Sequence, residues 1–238
     1  MTILVTGGAS GLGEAITRTL AAAGHTVCFT YASSQARAME LQAARPGSRA
    51  IHCDFTSAAS VEALLTAIPT LNIDVLVNNA NGRIHKDHFY KMDADVFRSS
   101  FEHNVLPTLR ITQEAIKVFR KKKFGKIVNI ISAAIINKPP FGYSEYIANK
   151  AYLLSMSKSW ANEYIRFNIT SNSISPGFML TNITSDTDER IVEQIKDAHP
   201  LKQLLQPMEV ANAVKFYVEA SQQINGTNLV INAGADIA

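Results

Sequence analysis

Disulfides, membrane spans and strong net charge are all missing from this 238-residue chain. It has two cysteines, Cys28 and Cys53, both in apolar runs that read as buried strands. That pattern excludes a disulfide framework, fits a reducing compartment and casts both thiols as small core residues. No apolar run approaches the ~20 residues of a membrane-spanning helix, and no basic leader precedes the first glycines. A cytoplasmic location, away from any membrane, is therefore expected. The 23 Lys and Arg against 20 Asp and Glu leave a net charge of +3. That is too little to argue for nucleic acid, although the sign suits a phosphorylated ligand. Paired catalytic carboxylates and a Ser/His/Asp hydrolase elbow are also missing. His85, Asp87 and His88 come nearest to a metal cluster, but no cysteine pair joins them, and no metal is expected.

What is present is a regular alternation. Hydrophobic residues make up 47% and charged residues 18%, as in a soluble domain with a sizeable core. Short apolar runs at Ile3–Thr6, Thr26–Thr30, Ala50–Cys53, Val75–Asn78, Lys126–Ile131, Thr170–Ser175 and Leu229–Ile231 read as strands. Amphipathic stretches such as Leu12–Ala23, Gln35–Ala44, Ser60–Ile68 and Glu145–Tyr164 read as helices between them. The alternation predicts an α/β fold: a Rossmann-type doubly wound parallel sheet of about seven strands with helices on both faces. No repeat or linker divides the chain, so residues 1–238 are expected to form one domain. Pro139-Pro140-Phe141-Gly142 reads as a loop. In such sheets ligands bind beyond the carboxyl ends of the strands, where the strand order reverses.

The first strand runs into Thr6-Gly7-Gly8-Ala9-Ser10-Gly11-Leu12-Gly13, and a helix follows. Glycines permit a tight turn and close approach of a pyrophosphate, and the helix N-terminus offers free N–H groups to it. A purely structural turn is the plain alternative, but the strand before and the helix after are the context that dinucleotide binding requires. The spacing Thr-Gly-x-x-x-Gly-x-Gly resembles that of the short-chain dehydrogenase/reductase family. Tyr146-Ile147-Ala148-Asn149-Lys150 matches the same family's Tyr-x-x-x-Lys, whose i and i+4 members share one helix face. A free tyrosine is a poor acid–base group near pH 7, and a nearby ammonium lowers its pKa. Tyr143 is a rival, but Ile147 stands four residues on and supplies no charge.

The resemblance implies the remaining roles. Tyr146 exchanges a proton with the substrate oxygen, Lys150 holds the nicotinamide ribose, Ser132 orients the oxygen, and Asn104 binds a water in the proton relay. Ser132 stands one residue farther from Tyr146 than usual, which places an extra residue in the Pro139–Tyr143 loop. Cofactor contacts are expected from Gly7, Ser10, Gly11, Leu12, Gly13, Thr30, Tyr31, Ser33, Asp54, Phe55, Asn79, Ala80, Tyr146, Lys150, Pro176, Gly177 and Thr181. Asn78-Asn79-Ala80-Asn81 departs from the family's Asn-Asn-Ala-Gly at its last position. Taken alone, several of these residues have plain structural readings: Ser132 as a strand-end serine, Asn104 as a helix kink, and Pro176-Gly177 as a strand stop.

An acidic residue ending the second strand would bond a ribose 2′-hydroxyl and repel a 2′-phosphate. None occurs in Thr30-Tyr31-Ala32-Ser33-Ser34, which resembles NADPH-using 3-oxoacyl-acyl-carrier-protein reductases. NADP(H) is therefore favoured over NAD(H), although Ser10 stands where many NADPH enzymes carry arginine. Arg37 is a candidate replacement. The expected partner is a carbonyl or alcohol substrate, with a thioester carrier suited to the basic stretch Arg83-Ile84-His85-Lys86. A variable lid is expected around residues 179–203. The charges Asp186, Asp188, Glu189 and Arg190 there read as a solvated helix face. Arg120-Lys121-Lys122-Lys123 reads as a helix C-terminus. The family resemblance also implies a homotetramer or homodimer built on the long helices. A non-catalytic nucleotide sensor on the same fold is the alternative, and the complete Asn, Ser, Tyr and Lys set argues against it.

Overall fold

Side chains alternate faces along a strand, so a sheet covered on both sides needs apolar residues at successive positions. Thr2–Val5 (β1) meets this demand: Ile3 and Val5 enter one core and Leu4 the other, all fully buried. The computed structural model describes every residue except Pro46, Arg83, Asn137, Asn182, Ile183, Ser185, Asp186 and residues 236–238. The readings placed on Arg83 and Asp186 therefore lie outside the described residues.

After β1 come Gly11–Ala22 (α1), Thr26–Tyr31 (β2), Gln35–Ala44 (α2), Arg49–His52 (β3), Ala58–Leu71 (α3) and Val75–Asn78 (β4). Then follow Ala94–Ser100 (α4), Leu106–Lys122 (α5), Gly125–Ile130 (β5), Ser144–Tyr164 (α6) and Ile169–Pro176 (β6). Glu189–Ala198 (α7), Pro207–Glu219 (α8) and Asn228–Ile231 (β7) complete the order. Each strand lies within one residue of its expected ends. The third helix is longer than its apolar pattern, because Ser57 caps it by accepting the Ser60 N–H at 3.3 Å and Pro69 is accommodated inside it.

The seven strands are parallel, in the order β3-β2-β1-β4-β5-β6-β7. One face packs on α1, α2 and α8 through Ile16, Leu20, Leu41, Val210 and Val214. The other packs on α3, α5 and α6 through Leu64, Ile68, Ile111, Phe119 and Trp160. The order reverses between β1 and β4, and both chain paths leave that point at their carboxyl ends. A crevice results there.

Two features depart from a simple apolar sheet. Strand β6 is fully buried yet carries Thr170, Ser171, Asn172, Ser173 and Ser175. Their polar groups are paired: Asn129 Nδ2 donates to Ser157 Oγ at 3.0 Å and Ser171 Oγ at 3.3 Å, and Ser173 Oγ donates to Ser157 Oγ at 3.0 Å. Such a network is tolerated in a core because its members satisfy one another. Buried Lys126 donates to the carbonyls of Val218 at 2.8 Å and Ala220, tying the start of β5 to the end of α8.

Cys28 and Cys53 are free and buried. Burial raises both thiols, Cys53 to about 11, which keeps them protonated and unreactive near neutral pH. The basic run does end α5, and Lys122 Nζ donates to the carbonyls of Asn72 at 3.0 Å and Ile73 at 3.3 Å. Among the described residues, no helix is long and apolar enough to cross a membrane.

Candidate active site and cofactor cradle

The glycine turn is held from below and behind. Gly7 and Gly11 take φ of +64° and +52°, a region costly for residues bearing a Cβ. Thr30 Oγ1 accepts the Gly7 N–H at 2.8 Å. Asn79 Nδ2 donates to the carbonyls of Thr6 at 2.9 Å and Gly7 at 3.1 Å, while Thr6 Oγ1 accepts the N–H groups of Asn79 and Ala80, each at 3.0 Å. The β1 and β4 ends are thereby locked into one surface. A Cβ added to Gly13 would lie 1.9 Å from the Gly7 carbonyl oxygen. Gly13→Ala is expected to displace this turn and weaken dinucleotide binding at least 100-fold, as read by titration of nicotinamide fluorescence. Binding within threefold of the parent chain would show that the turn does not hold the ligand.

Helix α1 starts at this turn. Ser10 occupies its N-cap without a side-chain cap bond, and the first-turn N–H groups have no partner within the helix. Leu12 is buried in the core, which leaves only its backbone N–H to face this turn. The close-packed glycine backbone and the open helix N-terminus fit a pyrophosphate well.

Four catalytic candidates converge beside this surface. Ser132 follows β5, and its hydroxyl hydrogen-bonds Tyr146 on α6; it also accepts the Ala134 N–H at 3.2 Å. Burial is the largest influence on Tyr146 and raises its pKa, while the Ser132 bond pulls it back only in part. Lys150 is 5% exposed and donates to the Ile130 carbonyl at 3.0 Å, with Nζ 5.7 Å from the Tyr146 ring centre. Burial lowers its pKa to about 8. The expectation that the lysine lowers the tyrosine pKa is thus corrected for the chain by itself: burial dominates, and the phenol stays protonated near neutral pH.

Asn104 lies in a π turn, Phe101–Val105, between α4 and α5. Such turns commonly mark functional positions, because the widened backbone re-aims a side chain. Its Oδ1 accepts the Gly82 N–H at 2.5 Å, and its Nδ2 donates to the Ser100 carbonyl at 3.0 Å. The side-chain amide is therefore engaged at both ends. The Asn104 backbone carbonyl, which accepts the Thr108 hydroxyl at 2.9 Å, keeps a second lone pair for a relay water, as does Oδ1.

The remaining expected contacts divide. Thr30 lies under the glycine turn, buried, where its Oγ1 supports the Gly7 N–H. Tyr31 stands at the crevice edge against His52, with ring centres 5.5 Å apart. The Ser33 carbonyl accepts the Gln35 N–H at 3.0 Å, and Ser34 caps α2 without a side-chain bond. Asp54 Oδ1 accepts the Thr56 N–H and hydroxyl, both at 2.8 Å, which lowers its pKa. Phe55 packs on the core beside it. Pro176 ends β6, the Gly177 N–H donates to the Ile231 carbonyl at 2.8 Å, and the Thr181 N–H donates to Thr184 Oγ1 at 2.9 Å.

Arg37 is not free to replace the missing glycine-loop arginine. Its Nε and Nη2 reach the two Glu14 oxygens at 3.0 and 2.5 Å, and its Nη1 reaches Glu40 at 2.8 Å. Burial alone would raise the Glu14 carboxyl, but Arg37 and Arg18 together hold it below its usual range. Among the described residues, no three His, Cys, Asp or Glu side chains meet as a metal site requires.

Sequence reasoning missed Thr6, Ser100 and Glu145, which hold these groups in place. The threonine was legible as the residue before the first glycine. A glutamate in the first turn of a helix reads as an ordinary complement to the helix dipole, so nothing in the pattern singled it out.

Comparison with known proteins agrees with this geometry. Residues 7–236 match the family model described as "Enoyl-(Acyl carrier protein) reductase". The 3-oxoacyl-[acyl-carrier-protein] reductase FabG of Aquifex aeolicus is 33% identical, over 97% of this chain and 95% of that protein. The corresponding reductase MabA of Mycobacterium tuberculosis is 32% identical, over 98% of this chain and 91% of its own. A solved structure described as a short chain dehydrogenase/reductase family protein superposes with a TM-score of 0.88 at 32% identity, over all of this chain and 98% of that one. With its parallel sheet, its glycine cradle and its Ser132, Tyr146 and Lys150 cluster, the chain belongs to the short-chain dehydrogenase/reductase family.

Proposed function

We propose that this chain uses NADP(H) to reduce a ketone to a secondary alcohol, with a 3-oxoacyl thioester as substrate. The observation that carries the reading is Tyr146: a phenol kept protonated by burial, hydrogen-bonded to Ser132 and with Lys150 against its ring. The cradle residues Gly7, Ser10, Gly11, Leu12 and Gly13, with Asp54, Asn79 and Ala80, would hold the dinucleotide. Tyr31, Ser33 and Thr181 stand at its rim. Bound there, a reduced nicotinamide supplies the hydride. Tyr146 gives its proton to the carbonyl oxygen, and Ser132 donates a hydrogen bond that fixes that oxygen and stabilises its growing charge. Lys150 lies behind Tyr146 with a pKa of about 8, close enough to neutrality to return a proton to the phenolate, and the Asn104 carbonyl extends that path.

The exposed rings of Phe89, Tyr90 and Phe141, with Pro139 and Pro140, line an open, largely apolar depression of the surface. An apolar wall of this kind suits an acyl chain better than a sugar. The names of the relatives point to oxo thioesters, whereas that of the family model points to enoyl thioesters. Offered acetoacetyl-CoA and crotonyl-CoA separately, the protein with NADPH should consume cofactor with the first and not the second. Consumption with crotonyl-CoA alone would replace the ketone reading. A pure nucleotide sensor has no use for the complete Asn104, Ser132, Tyr146 and Lys150 set.

Preference for NADP(H) rests on the absence of an acid after β2 and on the hydroxyls of Ser33 and Ser34. The Glu14 grip on Arg37 opposes it. Glu14→Gln should release the guanidinium toward a 2′-phosphate and improve NADPH binding relative to NADH about 10-fold, as read by paired fluorescence titrations. An unchanged ratio would exclude Arg37 from cofactor choice. The proposed enzyme acts in the cytoplasm, apart from nucleic acid, as one unit spanning 1–238 with a lid around 179–203. It assembles as a homotetramer or homodimer through α5 and α6.

A further inference from the structure

Glu145 directly precedes Tyr146, and it is 2% exposed. A buried carboxylate is stable only when its oxygens are satisfied. Here one oxygen accepts the His85 backbone N–H at 2.9 Å, and the other accepts the hydroxyl of Ser100. A serine hydroxyl has one proton and two lone pairs. With the proton given to Glu145, both lone pairs of Ser100 are filled, by Asn149 Nδ2 at 2.9 Å and Asn104 Nδ2 at 3.3 Å. Asn104 is thereby forced to present its Oδ1 the other way, to the Gly82 N–H.

We infer that Glu145 is a positioning residue: through Ser100 it sets the orientation of Asn104, and through His85 and Gly82 it pins the segment after β4 against the helix that carries Tyr146. The carboxylate is required because it is acceptor-only at both oxygens. An amide in its place would set an NH₂ group against the His85 N–H, or would give Ser100 a third donor for two lone pairs. The isosteric change Glu145→Gln therefore disturbs the network without emptying the space.

Two variants of the full chain test this, Glu145→Gln and Ser100→Ala, with NADPH and acetoacetyl-CoA. Each should lower kcat at least 10-fold while KM for NADPH stays within twofold. The double variant should be no worse than the poorer single one, as expected of residues acting as a unit. Hydrogen exchange in the peptide containing Gly82 and His85 should quicken at least 10-fold in both. The exchange arm needs no substrate, so it decides the inference even if the unaltered protein fails to reduce the thioester, a failure that would fall on the proposed reaction alone. Should Glu145→Gln not fold, Ser100→Ala, which removes a single hydroxyl, decides it. Unchanged exchange overturns the inference, as does a defect confined to KM or fully additive losses in the double variant.

Discussion

Tyr146→Phe should lower kcat about 1000-fold for ketone reduction and leave the dissociation constant for NADPH within twofold. Removing one oxygen takes away the proton donor and the Ser132 hydrogen bond together. It keeps the ring, including its edge-on contact with Tyr143 at 6.3 Å between centres. Positioned acid–base groups contribute on the order of 10²–10⁴ in rate, and Lys150 Nζ is directed to the Ile130 carbonyl and cannot simply take the place of the lost phenol. The measurement is steady-state turnover beside a fluorescence titration of the same preparation. Turnover above a tenth of the parent rate, with binding intact, would remove Tyr146 from the chemistry.

Lys150→Met is expected to give opposite signs in activity and stability. Turnover should fall at least 100-fold, since the variant has no group to return a proton to Tyr146 and no ammonium for a ribose. The cofactor-free protein should become more stable near pH 7. Burial depresses the folded-state pKa of Lys150 from 10.5 to about 8, so below pH 8 the folded chain carries a charged amine that it has desolvated. At 1.36 kcal/mol per unit, the penalty is about 3 kcal/mol. Methionine avoids it but forfeits the charge-assisted bond to the Ile130 carbonyl, worth about 2 kcal/mol. The net gain is about 1 kcal/mol. For a depressed lysine, the unfolded chain holds more protons than the folded one between pH 8 and 10.5. Stability of the parent protein therefore rises with pH across that window, and the advantage of the variant shrinks there. Denaturant melts at pH 7 and pH 10 check both parts. A variant less stable at pH 7, or a difference independent of pH, would mean that Lys150 is not a buried charge.

The parts legible in the sequence are those where chemistry leaves few choices. Only glycine tolerates the 1.9 Å approach at position 13, and only an i, i+4 spacing puts Tyr146 and Lys150 on one face of α6, so both were readable. Strand ends were readable because burial on both sides leaves unbroken apolar runs, as in Val75–Val77. Strand β6 was harder, because Ser171 and Ser173 are buried by bonding to Ser157, a partner from another element. The bond of Thr30 to the glycine turn was hidden for a related reason. A hydroxyl at a strand end can face a ligand or a neighbouring turn, and the Gly7 N–H took it. The Arg37–Glu14 pair joins two helices 23 residues apart in sequence, and no local pattern reports such an approach. Asn104 was singled out by the family pattern, but its π turn and its bond to Gly82 depend on the packing of α4 against α6.

The most direct test of the central claim follows one atom. NADPH carrying deuterium at its transferable nicotinamide position is incubated with the purified protein and acetoacetyl-CoA, and the product is examined by mass spectrometry and NMR. The account predicts one deuterium per product molecule on the new carbinol carbon, and loss of that product in Tyr146→Phe. Deuterium at any other carbon, or no hydroxyl product while NADPH is tightly bound, would contradict it.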